Sequence, residues 1–169
     1  PIGAVDVLDL LDGDGVDLAL SMLVDGGERF KCARVMQDDY VAVLDRAHPA
    51  AAAPQLTLDH LADIPHVGIS STGDDTSFID EVLEQSGRVR RVAARVPFLS
   101  LVLMLVGSDL VAIMPRRVAT DLSVICPVVA KDLPFPSPHL SLSMIWHRRV
   151  DNHPAHRWLR GVVRASASG

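Results

Sequence analysis

The chain has 169 residues, a formal net charge of -5 and a composition that is 49% hydrophobic but only 4% aromatic. This length suffices for one domain or two small lobes with a hydrophobic core. The net negative charge argues against nonspecific binding of nucleic acid, which needs a basic surface. The longest apolar run, VPFLSLVLMLVG, is far shorter than the ~20 residues that span a bilayer.

The cysteine content indicates the cellular compartment, and the first residue indicates whether the chain is a fragment. The two cysteines, Cys32 and Cys126, are too few for a disulfide framework and predict reduced, packed thiols. No secretory signal is present. We therefore expect a cytoplasmic protein with no membrane contact, and the start at Pro1 suggests a fragment.

The first 50 residues alternate between helical and extended patterns. DVLDLLDGDG predicts a short helix with a glycine stop, and VDLAL predicts a strand. Residues 25–27 are typical of a turn. RFKCARVM and YVAVLDR then predict two separate strands, interrupted near residues 37–39 and ended by His48 and Pro49.

The middle of the chain continues the alternation. Thr57 can cap the helix LDHLADI, which Pro65 ends. HVGIS is a predicted strand, and the polar cluster STGDDTS should cap the next helix. That helix has apolar residues at helical spacing and Gly87 as its stop.

The last 80 residues repeat this pattern. RVRRVAARV predicts a strand, and Pro97 starts a helix that is apolar all round and hence predicted to be buried, with its end at Gly107. LVAIM, VICPVVA and LSLSMIWH predict strands, Pro115 opens a further helix, and a final helix runs over residues 154–164. Alternating elements with short connections predict an α/β fold with parallel strand pairs.

The segment WHRRVDNHPAHRWLR raises the question of a metal site. His153 and His156 lie three positions apart, yet no CxxC or HExxH motif occurs, and structural zinc needs three or four well-placed ligands. Asp151 or Asn152 can instead cap a helix whose first turn holds Pro154. We expect a helix start, with no metal and no cofactor.

The faces of that final helix can also be predicted. One apolar stripe should be buried, and it comprises Ala155, Trp158, Leu159, Val162 and Val163. A separate basic face should be solvated, and it comprises Arg157, Arg160 and Arg164.

WHRRVDNHPAHRWLR also resembles the C-terminal signature of LysR-type transcriptional regulators, in particular the subgroup of nodulation and aromatic-degradation regulators. Other stretches are similar to the family in the same order: LLDGDGVDLAL, DDYVAVLDRAHPA, LTLDHLADIPHV and RVPFLSLVLMLVGSDLVAIMPRRVA. The resemblance covers essentially the whole chain.

The resemblance implies the C-terminal effector-binding (substrate-binding) domain of such a regulator. Its fold is α/β, two-lobed and periplasmic-binding-protein-like (type 2), with two crossing strands and a ligand cleft between the lobes. Lobe one would comprise residues 1–39 and 140–169 and be incomplete, and lobe two residues 40–139. The family's N-terminal winged helix-turn-helix, through which the intact protein binds DNA, has no counterpart here.

Candidate ligand contacts follow from the rule that open α/β sheets bind ligands beyond the carboxyl ends of strands. Three places fit this rule: Ser21 and Met22, residues 70–75, and residues 97–100. The resemblance adds Phe30 as an apolar wall and the positions of Asp74 and Phe98. The candidates are Ser21, Met22, Phe30, Ser70, Ser71, Thr72, Asp74, Pro97, Phe98 and Leu99.

Structural alternatives remain open for several of these candidates. Asp74 can instead cap the following helix. Phe98 can be a core residue of an apolar helix. Ser70, Ser71 and Thr72 can serve turn geometry rather than a ligand.

The leading functional hypothesis is an effector-sensing domain for a small molecule, with an aromatic compound suggested by the resemblance. The intact protein would then be a homodimer or homotetramer. A stand-alone solute-binding protein for transport is the alternative. An enzyme is a third hypothesis, but no G-x-S-x-G elbow and no catalytic residue can be identified.

Overall fold

The structure is a computed structural model that describes residues 4–13, 15–22, 27–69 and 76–167. The chain divides into two compact units. Unit 1 comprises Pro1–Gln37 and Leu140–Gly169, and unit 2 comprises Asp38–His139. Within the described ranges, no helix is both long and apolar enough to cross a membrane.

Helices and strands alternate along most of the chain. The helices are α1 (Ala4–Asp12), α2 (Leu58–Asp63), α3 (Ser77–Gln85), α4 (Phe98–Leu105), α5 (Arg116–Ile125) and α6 (Pro154–Ala167). The strands are β1 (Ala19–Ser21), β2 (Phe30–Asp45), β3 (His66–Ile69), β4 (Val92–Val96), β5 (Val111–Pro115), β6 (Val128–Lys131) and β7 (His139–His147). Short 3₁₀ turns occupy Pro49–Ala52 and Arg148–Val150.

Unit 1 is built on antiparallel pairing between β1 and β7, with Ala19 opposite Ile145. β7 in turn neighbours β2. Leu11 of α1, Phe30 of β2 and Ile145 of β7 form its buried cluster. Apolar burial of this kind is what holds a short helix such as α1 in place.

Unit 2 contains a mixed sheet in the order β6-β2-β5-β3-β4. β3 pairs in parallel with β4 and with β5, whereas β2 pairs antiparallel with β5 and β6. α3 connects β3 to β4, and α4 connects β4 to β5. These are the crossover connections that parallel pairs require, and they confirm the predicted α/β architecture.

The unit 2 sheet is buried on its α4 and α5 face. Val41, Val43 and Met114 pack with Leu101 and Leu105 of α4. Leu44 and Ile113 are neighbours of these residues along β2 and β5, so their side chains point to the opposite face of the sheet, and they are also buried. Both faces of the central strands β2 and β5 are therefore covered.

The signals at the start of α2 and at the ends of α3 and α4 are confirmed, but Thr76, from the polar cluster predicted to cap α3, makes no side-chain cap bond there. Thr57 and His60 form a capping box at the start of α2. Gly87 and Gly107 follow α3 and α4 with φ of 70° and 71°, a left-handed conformation that glycine adopts at little cost.

The prediction of two separate strands over residues 30–46 was wrong. β2 is one strand of 16 residues. The polar residues near 38 do not end it, because the Asp38 carboxylate accepts a hydrogen bond from the Arg117 N–H (3.0 Å) and Asp39 pairs with His139 (2.9 Å). Tertiary contacts thus override a weak local preference.

The prediction that α4 is buried all round was also wrong. Leu101 and Leu105 are buried, but the Leu103 side chain is 80% exposed, and Met104 is partly exposed. α4 packs on the sheet through one face, so apolar side chains on its other face remain exposed to solvent.

The predicted faces of α6 were wrong in part. Trp158 is 70% exposed and Val162 is 42% exposed, whereas Arg160 is buried at 8%. Arg160 is buried because its guanidinium lies over the Trp146 ring. The segment VICPVVA also begins within α5, so that β6 starts only at Val128.

Candidate ligand-binding site

The carboxyl ends of the parallel strands meet at one edge of unit 2. Ile69 at the end of β3 lies opposite Val96 at the end of β4. α4 begins directly after β4, with Pro97 at its N-cap, and α5 begins directly after β5, with Pro115 at its N-cap. This is the edge at which open α/β sheets hold ligands.

Helix starts give this edge donor groups. Neither Thr76 before α3 nor Pro97 before α4 forms a side-chain cap. The first N–H groups of a helix have no partner within the helix and carry the positive end of its dipole. The edge therefore favours acceptor atoms on a ligand.

Several predicted site residues fall at this edge. Pro97 is exposed. Phe98 and Leu99 form the first turn of α4, and their side chains lie outside the described part of the chain. Ser70, Ser71, Thr72 and Asp74 also lie outside it.

The other three predicted residues lie in unit 1. Ser21 ends β1 opposite Ser143, and Met22 follows it and is 37% exposed. Phe30 is 7% exposed and packs edge-to-face on His147, with ring centroids 5.4 Å apart. Phe30 therefore packs within the buried cluster of unit 1.

A cationic group lies beside the start of α3. Arg90 donates to both carboxylate oxygens of Asp80 at 2.8 and 2.6 Å and to the Thr76 hydroxyl at 3.1 Å. The Arg95 side chain passes over Gly68, where a Cβ would lie 3.5 Å from Nη1. Arg90 thus holds the first turn of α3 against the sheet through charge-assisted bonds.

His66, the first residue of β3, lies near Arg90 and is buried. Its Nε2 donates to the Leu61 carbonyl at 2.8 Å. Burial lowers the pKa of His66 to about 4, and the nearby Arg90 charge acts in the same direction. The imidazole is therefore neutral at neutral pH and serves as a structural donor.

A cavity of about 350 Å³ opens beside the start of α5, and we call it the Asp39–Arg116 cavity. Two pairs of opposite charge lie on its rim. Arg116 contacts Asp132 at 2.7 Å, and His139 Nδ1 contacts the Asp39 carboxylate at 2.9 Å. All four side chains are substantially exposed, so these pairs are open to solvent.

The floor of the Asp39–Arg116 cavity is apolar and aromatic. Tyr40 and Leu133 are each 6% exposed, and Phe135 completes the lining. Phe78 of α3 packs between the two rings, with centroids 5.2 Å from Tyr40 and 6.3 Å from Phe135. Such packing holds the rings in defined orientations.

The sequence prediction did not include the residues of the Asp39–Arg116 cavity. Two signals could have found them. Consecutive aspartates at 38 and 39 are unusual inside a strand, and Arg116 directly follows the carboxyl end of β5, where the same rule that selected residues 97–100 applies.

The histidine-rich segment at the start of α6 brings two imidazole rings together. His153 and His156 stack edge-to-face, with ring centroids 5.3 Å apart. Across the described ranges, no group of three or more His, Cys, Asp or Glu side chains is placed to hold a metal ion.

Comparison with known proteins gives consistent matches. A family model described as the LysR substrate binding domain matches residues 3–168. The HTH-type transcriptional activator NagR of Ralstonia sp is 28% identical over 151 residues, which cover 89% of this chain and 50% of NagR. The chain thus spans about half the length of the curated relatives it matches.

Solved structures agree with the sequence matches. The regulatory domain of MexT, a transcriptional activator in Pseudomonas aeruginosa, superposes with a TM-score of 0.81 at 33% identity, covering 93% of this chain and 77% of that domain. The effector binding domain of QuiR in complex with shikimate has a TM-score of 0.75 at 15% identity, covering 98% of this chain and 78% of that domain, and shows the fold alone. These neighbours confirm the predicted type 2 periplasmic-binding-protein-like fold.

Proposed function

The chain belongs to the LysR substrate-binding domain family, and from this premise we propose that it is the effector-sensing domain of a bacterial transcriptional regulator. A small molecule binds the domain and changes the equilibrium between conformations of the intact protein. Such a ligand acts only through its different affinities for those conformations.

The observation that carries this proposal is the shared carboxyl edge of β3, β4 and β5. α4 and α5 begin directly after β4 and β5, and Pro97 is exposed at the start of α4. Helix starts can hold a carboxylate or a phenolate through backbone N–H groups. Ligand contacts by Ser70, Ser71, Thr72, Asp74, Phe98 and Leu99 remain part of the proposal, as do contacts by Ser21, Met22 and Phe30.

Further properties of the whole protein are included in the proposal. The relatives that the chain matches are named HTH-type regulators and are about twice as long as the chain. We propose that the intact protein binds DNA through an N-terminal winged helix-turn-helix, assembles as a homodimer or homotetramer, acts in the cytoplasm and has no catalytic activity. We also propose that residues 1–39 and 140–169 form lobe one and that residues 40–139 form lobe two.

An aromatic compound is the proposed class of effector. The support is the resemblance of the sequence to nodulation and aromatic-degradation regulators, and a relative named Nodulation protein D 1 is among the matches. A shikimate-bound domain of the same fold supports a small-molecule ligand in general. The transport alternative is disfavoured because the matched relatives are named as regulators.

Thermal-shift measurements on the 169-residue chain test the proposal. The panel comprises aromatic acids, phenols and amino acids. A ligand at 100 times its dissociation constant adds about 2.7 kcal/mol to the free energy of unfolding. Substitution of Pro97 by Gly should reduce that stabilisation, whereas Asp121→Asn on the exposed side of α5 should leave it unchanged.

A further inference from the structure

We propose that the Asp39–Arg116 cavity is a second ligand site, and that it binds an aromatic α-amino acid as a zwitterion. None of its lining residues belongs to segments 70–75 or 97–100. Every lining residue lies in unit 2, so the site is complete within one compact part of the chain.

The rim provides one group for each charge of a zwitterion. Arg116 presents a planar guanidinium that can bind a carboxylate through two parallel hydrogen bonds. Asp39 presents a carboxylate that can accept from an ammonium group. The present partners, Asp132 and His139, occupy these positions at 2.7 and 2.9 Å.

Those partners can be displaced by a ligand. The side chains of Asp132 and His139 are 69% and 70% exposed. Exposed ion pairs contribute little to stability because water screens them and long side chains lose entropy. A ligand that offers both charges pairs with Arg116 and Asp39, and the displaced Asp132 carboxylate, which is 69% exposed, is then solvated by water.

The balance of charge on the rim disfavours a simple organic anion. Asp39 and Asp132 carry two negative charges and Arg116 carries one positive charge, so these three side chains sum to one negative charge. A ligand with only a carboxylate meets like charge. A ligand with an ammonium group does not.

The floor and the volume indicate a ring. Tyr40 and Phe135 line the cavity, and Phe78 packs against both rings. A bound aromatic ring can pack on these faces in offset or edge-to-face geometry. A volume of about 350 Å³ lies at the lower end of the range for small-molecule pockets.

The site also lies at both points where the chain leaves unit 2. His139 is the last residue of this unit, and Asp39 is its second residue. The hydrogen bond between them joins the two chain segments that lead into unit 1. A ligand that takes over Asp39 therefore releases the His139 side chain.

Isothermal titration of the 169-residue chain with three related compounds tests the proposal. L-Phenylalanine has both charges, phenethylamine lacks the carboxylate, and 3-phenylpropionate lacks the ammonium. We expect L-phenylalanine to bind best, with phenethylamine about tenfold weaker and 3-phenylpropionate weaker still, because each loses a charge-assisted hydrogen bond.

Two variants assign each charge to its residue. Asp39→Asn should weaken both L-phenylalanine and phenethylamine by about tenfold. Arg116→Gln should weaken L-phenylalanine by a similar factor and leave phenethylamine unchanged. Asp121→Asn and Arg157→Gln serve as matched controls outside the cavity, and circular dichroism of every variant establishes that the fold is retained.

Three results would overturn the proposal. The first is that L-phenylalanine produces no binding heat at its solubility limit. The second is that 3-phenylpropionate binds as tightly as the amino acid. The third is that Asp39→Asn and Arg116→Gln, both folded, leave the affinity for L-phenylalanine unchanged. The effector-sensing function would still be supported if a compound from the thermal-shift panel stabilised the chain in a way that depends on Pro97 and does not depend on Asp39 or Arg116.

Discussion

The guanidinium carbon of Arg160 lies 4.5 Å from the centroid of the Trp146 ring. Arg160 Nη2 also donates to the backbone carbonyl of Asp151 at 2.6 Å, and the Trp146 indole N–H donates to the Asp151 carboxylate at 2.9 Å. Lys31 and then Trp146 lower the pKa of that carboxyl by hydrogen bonding to its charged form. These contacts hold the turn before α6 in unit 1.

Substitution of Arg160 by Ala should therefore destabilise the chain by about 2 kcal/mol. The variant loses a desolvated cation–π contact and a charged hydrogen bond, and this loss is partly offset because one unsatisfied polar group is removed. That group is Nη1, which is buried and has no hydrogen-bond partner in the part of the chain that the structure describes. Urea unfolding measures the change. Arg157→Ala, on the exposed side of α6, is the control and should have little effect, and equal losses for both variants would contradict this account.

His66 should make the stability of the chain depend on pH. Its pKa is lowered to about 4 in the folded state, from an ordinary value of 6.5. Below 6.5 the unfolded state therefore binds more protons, and stability falls as the pH falls from 6.5 towards 4. We expect a loss of about 2–3 kcal/mol between pH 7.5 and 4.5 from this group.

His66→Gln isolates that contribution, because glutamine does not titrate and can still donate to the Leu61 carbonyl. The free energy of unfolding of the variant, measured in urea across the same pH range, should decrease less than that of the parent chain. Parallel curves for the two proteins would show that His66 is not held neutral by burial.

Asp38 should stabilise the start of α5 from a distant strand. One carboxylate oxygen accepts from the Arg117 N–H at 3.0 Å, and the other accepts from the Asp39 N–H at 2.9 Å. Asp38→Ala should cost about 1–2 kcal/mol of unfolding free energy, as loss of a helix cap does. Asp121→Ala on the same helix should stay within about 0.5 kcal/mol of the parent, and a similar loss for both would rule out the cap.

Two glycines with open surroundings should respond in opposite directions to alanine. Among the described residues, no neighbouring atom lies within 4 Å of where a Cβ would stand on Gly107 or Gly161, but Gly107 has a φ of +71°. Gly107→Ala should lower the melting temperature, at a cost of about 1–2 kcal/mol, because alanine is strained in the left-handed region. Gly161→Ala, inside α6, should raise it by a gain of about 0.5–1 kcal/mol in unfolding free energy. A shift of the same sign in both would contradict this backbone argument.

The elements that local signals define were predictable from the sequence. Thr57 and Pro65 bound α2 through a cap and a break, and Gly87 ends α3, because each acts on its own backbone neighbours. The continuity of β2 through Asp38 and Asp39 was not predictable in this way. It depends on partners 79 and 100 positions away.

The same distinction applies to the surfaces and to the candidate site. The periodicity of α6 places Trp158 in an apolar stripe, but the burial of Arg160 depends on Trp146 and Asp151, which lie outside the helix. The carboxyl-edge rule selected Pro97 and could also have selected Arg116, whereas the contacts of Asp39 and Asp132 depend on which chain segments pack together. The assignment of Ser70, Ser71, Thr72 and Asp74 to ligand contact stays a prediction.

Hydrogen exchange with and without a stabilising ligand tests the central claim most directly. The ligand is the compound from the panel of aromatic acids, phenols and amino acids that raises the melting temperature most. The account predicts slower exchange of the amides that follow β3 and β4, including those in the first turn of α4. A panel without any stabilising compound, or protection confined to segments far from this edge, such as α1 and the end of α6, would contradict it.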